Sequence, residues 1–169
     1  MKKINVKKFP PSAKFLAEDS RPHIITAVSN GNIAVVRKLL RAGIDPNTRD
    51  EKNQSLISLA SRAGNLAMVD ELLQWGAKVN ASTSDGCTAL HVATEAKHED
   101  IVKRLIDAGA SMTATTLSGL KPIDLAKNET PVWYALRKAE EEEKAKAESA
   151  GYDQTMTVRK RNSSLRRSS

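Results

Sequence analysis

Apolar residues along this chain fall into a helical rhythm that restarts at a fixed interval. Val35, Val36, Leu39 and Leu40 are followed by Met68, Val69, Leu72 and Leu73, and then by Ile101, Val102, Leu105 and Ile106. Within each set the spacing is i, i+1, i+4, i+5, which puts all four side chains on one broad face of an α-helix. The step from Val36 to Val69 is the step from Val69 to Val102, and every other member of the three sets keeps it. Gly43, Gly76 and Gly109 share that step, as do Ala27, Ala60 and Ala93, and the linkers Gly31-Asn32, Gly64-Asn65 and Lys97-His98. Self-similarity at one constant period is the signature of a stacked array of small units. The pattern predicts first helices over about 22–30, 55–63 and 88–96, with small residues that permit close stacking. Second helices are predicted over about 33–42, 66–75 and 100–108, each ended by a glycine that adopts a left-handed conformation freely.

The third unit opens with Gly86-Cys87-Thr88-Ala89-Leu90-His91-Val92-Ala93. One period back stands Asn53-Gln54-Ser55-Leu56-Ile57-Ser58-Leu59-Ala60, and one period forward stands Gly119-Leu120-Lys121-Pro122-Ile123-Asp124-Leu125-Ala126. The period and this Thr-Pro-Leu-His-like box resemble the ankyrin repeat, a β-turn followed by two antiparallel helices. The resemblance covers about residues 17–136. It is fullest in the third unit, where Ala89 replaces the usual proline and Lys97 the usual glycine. The first unit carries Arg21-Pro22-His23-Ile24-Ile25 where the box belongs and reads as an N-terminal cap. In the fourth, Asp124 replaces the histidine. The fold implied is an all-α solenoid of helix-turn-helix pairs joined by hairpin loops. Its repeats fall at about 17–49, 50–82, 83–115 and 116–136, within a domain spanning 13–136.

The ends of the chain differ from this array. Residues 1–12 are basic and contain Pro10-Pro11, which predicts an extended lead, and Ser12 is placed to cap a short helix over 13–17. Thr130-Pro131 starts a last helix, whose Val132, Trp133, Ala135, Leu136 and Ala139 cover the end of the stack. Residues 137–149 form a charged helical extension expected to fray by Ser149. The basic, Ser-rich stretch 150–169 has few apolar residues and is expected to be disordered.

Charge follows the same division. The net charge is +7, yet residues 23–136 hold twelve basic and twelve acidic residues, so the array is neutral. Residues 1–22 hold six basic and two acidic residues and residues 150–169 five and one, which makes each end +4. The basic character belongs to the ends and does not make the array a nucleic-acid reader. The single cysteine permits no internal disulfide and suits a reducing compartment. No apolar run approaches a membrane span and no secretory leader is seen. A cytoplasmic or nuclear location is therefore expected.

Catalytic chemistry finds no constellation in the sequence. Gly-rich phosphate loops, nucleophile elbows and metal-ligand spacings are not seen, so neither enzymatic activity, nor a cofactor, nor a bound metal is expected. His91 belongs to the repeat box, where the resemblance implies a structural role with Thr88. Cys87 reads as a bystander thiol, since no base is fixed beside it.

Binding is what the repeat leaves over. The resemblance implies a concave surface, formed by hairpin tips and first helices, that holds a partner protein. The positions carried over are Glu51, Lys52, Gln54, Arg62, Ser84, Asp85, Cys87, Glu95, Leu117, Leu120 and Asn128. Trp75, just before Gly76, reads equally as an aromatic anchor or as packing. Ser164 and Ser169 each follow an arginine by three positions and are candidate phosphorylation sites. The expected function is a protein-binding adaptor or regulator, a monomer or a member of a hetero-complex, with a tail tunable by phosphate. Two alternatives stay open. One is a regulatory subunit of a phosphatase or kinase, from Val6-Lys7-Lys8-Phe9, although phosphatase-docking motifs place one residue between valine and phenylalanine, not two. The other is a nuclear factor whose basic ends contact nucleic acid.

Overall fold

The computed structural model describes the backbone of residues 13–165 and the side chains of residues 21–149. Seven α-helices are present among them: α1 Ala13–Ser29, α2 Ile33–Arg41, α3 Leu56–Arg62, α4 Leu66–Gln74, α5 Ala89–Glu95, α6 Glu99–Asp107 and α7 Pro131–Leu165, with a 3-10 turn at Pro122–Leu125. Helices pair in sequence, α1 with α2, α3 with α4 and α5 with α6, and the pairs stack. The stacking makes two rows: an inner row of α1, α3, α5 and the 3-10 turn, and an outer row of α2, α4, α6 and α7. The all-α solenoid expected from the period is the fold observed.

Except for exposed Val35, the apolar sets face the core as their spacing requires. Val36 and Leu40, Met68, Val69 and Leu72, and Ile101, Val102 and Leu105 are buried in one continuous core with Leu56, Ile57 and Leu90 from the inner row. Chemistry read from the same period starts α2 and α4 and ends α2, α4 and α6. Asn32 and Asn65 cap α2 and α4 by accepting from the N–H groups of Val35 and Met68 at 3.2 and 3.0 Å. At the other end Gly43, Gly76 and Gly109 take positive φ, and the next residues, Ile44, Ala77 and Ala110, donate to Leu39, Leu72 and Leu105 while their side chains are buried. This pairing satisfies carbonyls that a helix end would otherwise leave open.

Between repeats a second ladder keeps the same period. Asn47 Oδ1 accepts from the Lys78 N–H and Asn80 Oδ1 from the Ser111 N–H, both at 2.8 Å. On the outer row, the Arg37 guanidinium grips the Glu71 carboxylate through two bonds of 2.9 and 2.6 Å, and Arg104 reaches Asp70 at 2.5 Å. Glu71 is buried, and the Arg37 bond holds its carboxyl below the ordinary carboxylate range.

Two expectations, for α1 and for the length of α7, are corrected, and the fourth unit departs from the strict period. Helix α1 runs unbroken from Ala13 to Ser29 through Pro22, in place of a short 13–17 helix and a separate start at 22. Proline removes one N–H and crowds the preceding turn without forcing a break; here Thr26 Oγ1 donates to the Pro22 carbonyl at 2.9 Å inside the continuing helix. The fourth unit has no inner helix, only the 3-10 turn, so α7 arrives early. Val132 and Leu136 fill the buried places that Ile101 and Leu105 fill in α6, whereas the strict period would have put exposed Tyr134 and Lys138 there. Helix α7 also continues past Ser149 to Leu165, through the stretch expected to be disordered. Its alanine, glutamate and lysine content and the Arg137–Glu141 and Lys138–Glu142 pairs favour helix, while Gly151 costs only about 1 kcal/mol. Residues 1–12, with Val6 and Phe9, and residues 166–169, with Ser169, lie outside the described residues; Ser164 is described in its backbone alone.

Candidate partner-binding surface

The second, third and fourth repeats each project a hairpin ahead of the inner row, and similar chemistry turns each one. In the second repeat Asp50 Oδ1 accepts from the N–H groups of Lys52 and Gln54 at 3.0 and 2.7 Å, and the Asp50 N–H donates to the Gln54 carbonyl. In the third, Thr83 Oγ1 accepts from the Cys87 N–H at 3.2 Å; in the fourth, Thr116 Oγ1 accepts from Leu120 at the same distance. Side-chain acceptors of this kind stabilise a tight turn without help from its tip residues. The tips are left to face outward.

Adjacent hairpins are then bonded to one another. Arg49 Nη1 donates to the Asn53 carbonyl at 2.9 Å and across to the Ser82 carbonyl at 2.7 Å, and Asn53 Nδ2 donates to Ser84 Oγ at 3.2 Å. The Leu117 N–H donates to the Asp85 carbonyl at 2.9 Å. Three tips thus form one ridge instead of three independent loops.

His91 anchors the third hairpin to the fourth from beneath. Its Nδ1 accepts from the Thr88 N–H at 3.2 Å and lies 2.9 Å from Thr88 Oγ1, so Nε2 carries the proton and donates to the Leu120 carbonyl at 3.1 Å. A second proton on Nδ1 would face the Thr88 N–H, and burial pushes the imidazole below its ordinary value of 6.5. The native state therefore resists protonation that the unfolded chain accepts. Stability is full above about pH 6.5 and falls as pH drops below it, approaching a slope of about 1.4 kcal/mol per pH unit until the native group also protonates. Denaturant titrations of the wild type and His91→Gln between pH 7 and 5 check this: the wild type should lose stability faster than the variant. Parallel curves would contradict it.

The positions picked from the sequence divide on this frame. Glu51, Lys52, Ser84, Asp85, Leu117 and Leu120 are exposed on the tips. Arg62 and Glu95 are exposed at the ends of α3 and α5, with Arg62 Nη1 at 3.4 Å from half-buried Gln54. Cys87, half-buried, sits among these groups. Burial pushes its thiol up, the Asp85 and Glu95 carboxylates push it further, and Arg62 opposes them. Such a thiol stays protonated and is a poor nucleophile. Asn128 is exposed, but in the loop between the 3-10 turn and α7 and not on an inner helix.

Trp75 stands apart from the rest. It ends α4 in the outer row, half-buried against the core, and its Nε1–H donates to Glu71 Oε1 at 3.0 Å. The indole completes the part-buried Arg37–Glu71 cluster and packs in the outer row, away from the hairpin tips. Sequence reasoning did not pick out Arg49 and Asn53, which bond across to the next hairpin, or Thr83, which turns its own. Only the hairpin geometry shows these bonds.

Among the described residues no group of three or more His, Cys, Asp or Glu side chains is placed to hold a metal ion, and no helix is long and apolar enough to cross a membrane. Residues 24–116 match the family model for ankyrin repeats in three copies. The match spans more than half of the 169 residues, and the chain belongs to the ankyrin-repeat family. Proteins of this family act generally as protein-interaction modules without catalytic activity. No curated protein matches the chain.

Proposed function

We propose that this protein is a non-catalytic adaptor or regulator that holds a partner protein across the hairpin ridge and the exposed ends of its inner helices. The observation that carries the reading is the ridge itself. Its backbone is fixed by bonds between neighbouring repeats, while Glu51, Lys52, Asp85, Leu117 and Leu120 are left at the surface. A surface held in shape before binding loses less conformational entropy on association than a flexible loop does. The basic C-terminal stretch adds a contact of another kind, and phosphate at Ser164 or Ser169 would remove much of its charge. The lone cysteine favours the cytoplasm or nucleus as the place of action.

Affinity capture from lysate tests the reading with three baits: the wild type, a concave variant carrying Glu51→Ala, Lys52→Ala, Arg62→Ala and Glu95→Ala, and an outer-row control carrying Lys38→Ala and Arg41→Ala. Partners held by the wild type and the control but lost by the concave variant are expected. Capture that survives the concave changes, weakens steeply with salt and disappears on deletion of residues 150–169 would transfer the function to the basic end.

A further inference from the structure

The two tip positions of each hairpin change character along the stack. Glu51 and Gln54 in the second repeat become Ser84 and Cys87 in the third and Leu117 and Leu120 in the fourth. Leu117 is 81% exposed and Leu120 41%, the two most conspicuous aliphatic side chains left in water among the described residues. Neither is there because its loop is loose. The Leu117 N–H is bonded to the Asp85 carbonyl, the Leu120 N–H to Thr116 Oγ1, and the Leu120 carbonyl to His91 Nε2. Two leucines are thus held outward by a satisfied backbone, which costs stability in water and is recovered only when something apolar covers them.

What covers them is limited by the charge one hairpin away. Asp85, whose carbonyl holds Leu117, is itself exposed, and Glu95 is exposed at the end of the α5 helix that this hairpin leads into. A nucleic acid or an anionic membrane placed on the leucines would meet these carboxylates, while exposed Lys121 beside Leu120 leaves Asp85 and Glu95 as the groups that attract a cation. We propose that the ridge selects a protein segment with a bulky apolar side chain on Leu117 and Leu120 and a lysine or arginine directed to Asp85. The Leu117 N–H is bonded to the Asp85 carbonyl at 2.9 Å, so the two sites lie side by side, and with an extended segment advancing about 3.3 Å per residue the cation falls within about three positions of the apolar residue. This inference rests on the ridge being the binding surface and adds the chemistry of what it binds.

The test is selection of a random displayed-peptide library on the immobilised full chain, followed by affinity measurement of enriched peptides against two surface variants. Enrichment of peptides pairing an aromatic or large aliphatic residue with a basic residue within about three positions is expected. Leu117→Ser with Leu120→Ser should weaken them about tenfold or more. Asp85→Asn with Glu95→Gln should weaken them about three- to tenfold and flatten their salt dependence. Peptides that need the leucines but carry no basic preference, or ignore the carboxylate change, overturn the charge pairing while leaving the binding surface in place. Peptides indifferent to both variants and to the Glu51, Lys52, Arg62 and Glu95 changes overturn the surface itself, and failure to enrich any peptide overturns the inference.

Discussion

Leu105→Ala is expected to lower the unfolding free energy by about 2 to 5 kcal/mol. Leu105 is fully buried in α6 and its carbonyl receives the Ala110 N–H that closes the helix end. Truncation removes its transfer energy and leaves a cavity that α5, α6 and α7 share, because each packs against its neighbour in the stack. Folded domains are stable by about 5 to 15 kcal/mol in all, so the loss is a large fraction of the whole. An array adds cost, since each repeat draws stability from the interfaces on both sides. Chemical denaturation followed by circular dichroism reads the change. A loss under about 1 kcal/mol would contradict the burial of Leu105 in the central core.

Gly86→Ala should cost about 2 to 5 kcal/mol, and its comparison with Gly119→Ala separates two causes. Both glycines sit at positive φ, 77° and 78°, where an L-residue is strained by about 1 to 2 kcal/mol. A Cβ at Gly119 meets nothing within 4 Å, whereas at Gly86 it would lie 2.9 Å from the Thr115 carbonyl oxygen and 3.1 Å from the Thr116 Cα. Those atoms are backbone of the next hairpin and give way poorly, which adds an overpacking cost of about 1 to 3 kcal/mol. The Gly86 variant should therefore be the less stable and should bind partners more weakly, because the tips of the third and fourth repeats are pushed apart. Equal losses at the two positions would mean that the hairpins are not in contact as described.

Much of this architecture is legible in the sequence because one constant period constrains every unit at once. The buried faces of α2, α4 and α6 and the ends at Gly43, Gly76 and Gly109 follow from positions that recur, while the pairing of Thr88 with His91 follows from the family resemblance. Sequence reasoning fails where recurrence stops. Replacing the box histidine by Asp124 lets that carboxylate accept from its own Lys121 N–H at 2.8 Å instead of reaching onward. The fourth inner helix shrinks to a 3-10 turn, α7 starts its packing early and Asn128 moves into a loop. Trp75 is ambiguous in the sequence for a related reason: its partner Glu71 is fixed by Arg37 from the preceding repeat, a pairing that no local pattern displays. The extent of α7 is understated because its charged faces offer no packing, although its composition and i, i+4 pairs favour helix by themselves. On the binding surface, the exposed tips are readable as positions, whereas the bonds joining them into a ridge require the fold.

The most direct measurement of the central claim is amide hydrogen exchange of the full chain, free and bound to a captured partner. Protection on binding is expected at residues 50–54, 83–87 and 116–120 and at the ends of α3 and α5, with α2 and α4 exchanging as in the free protein. Protection confined to the outer row or to residues 150–165, with the three hairpin tips unchanged, would contradict the assignment of function to the concave face.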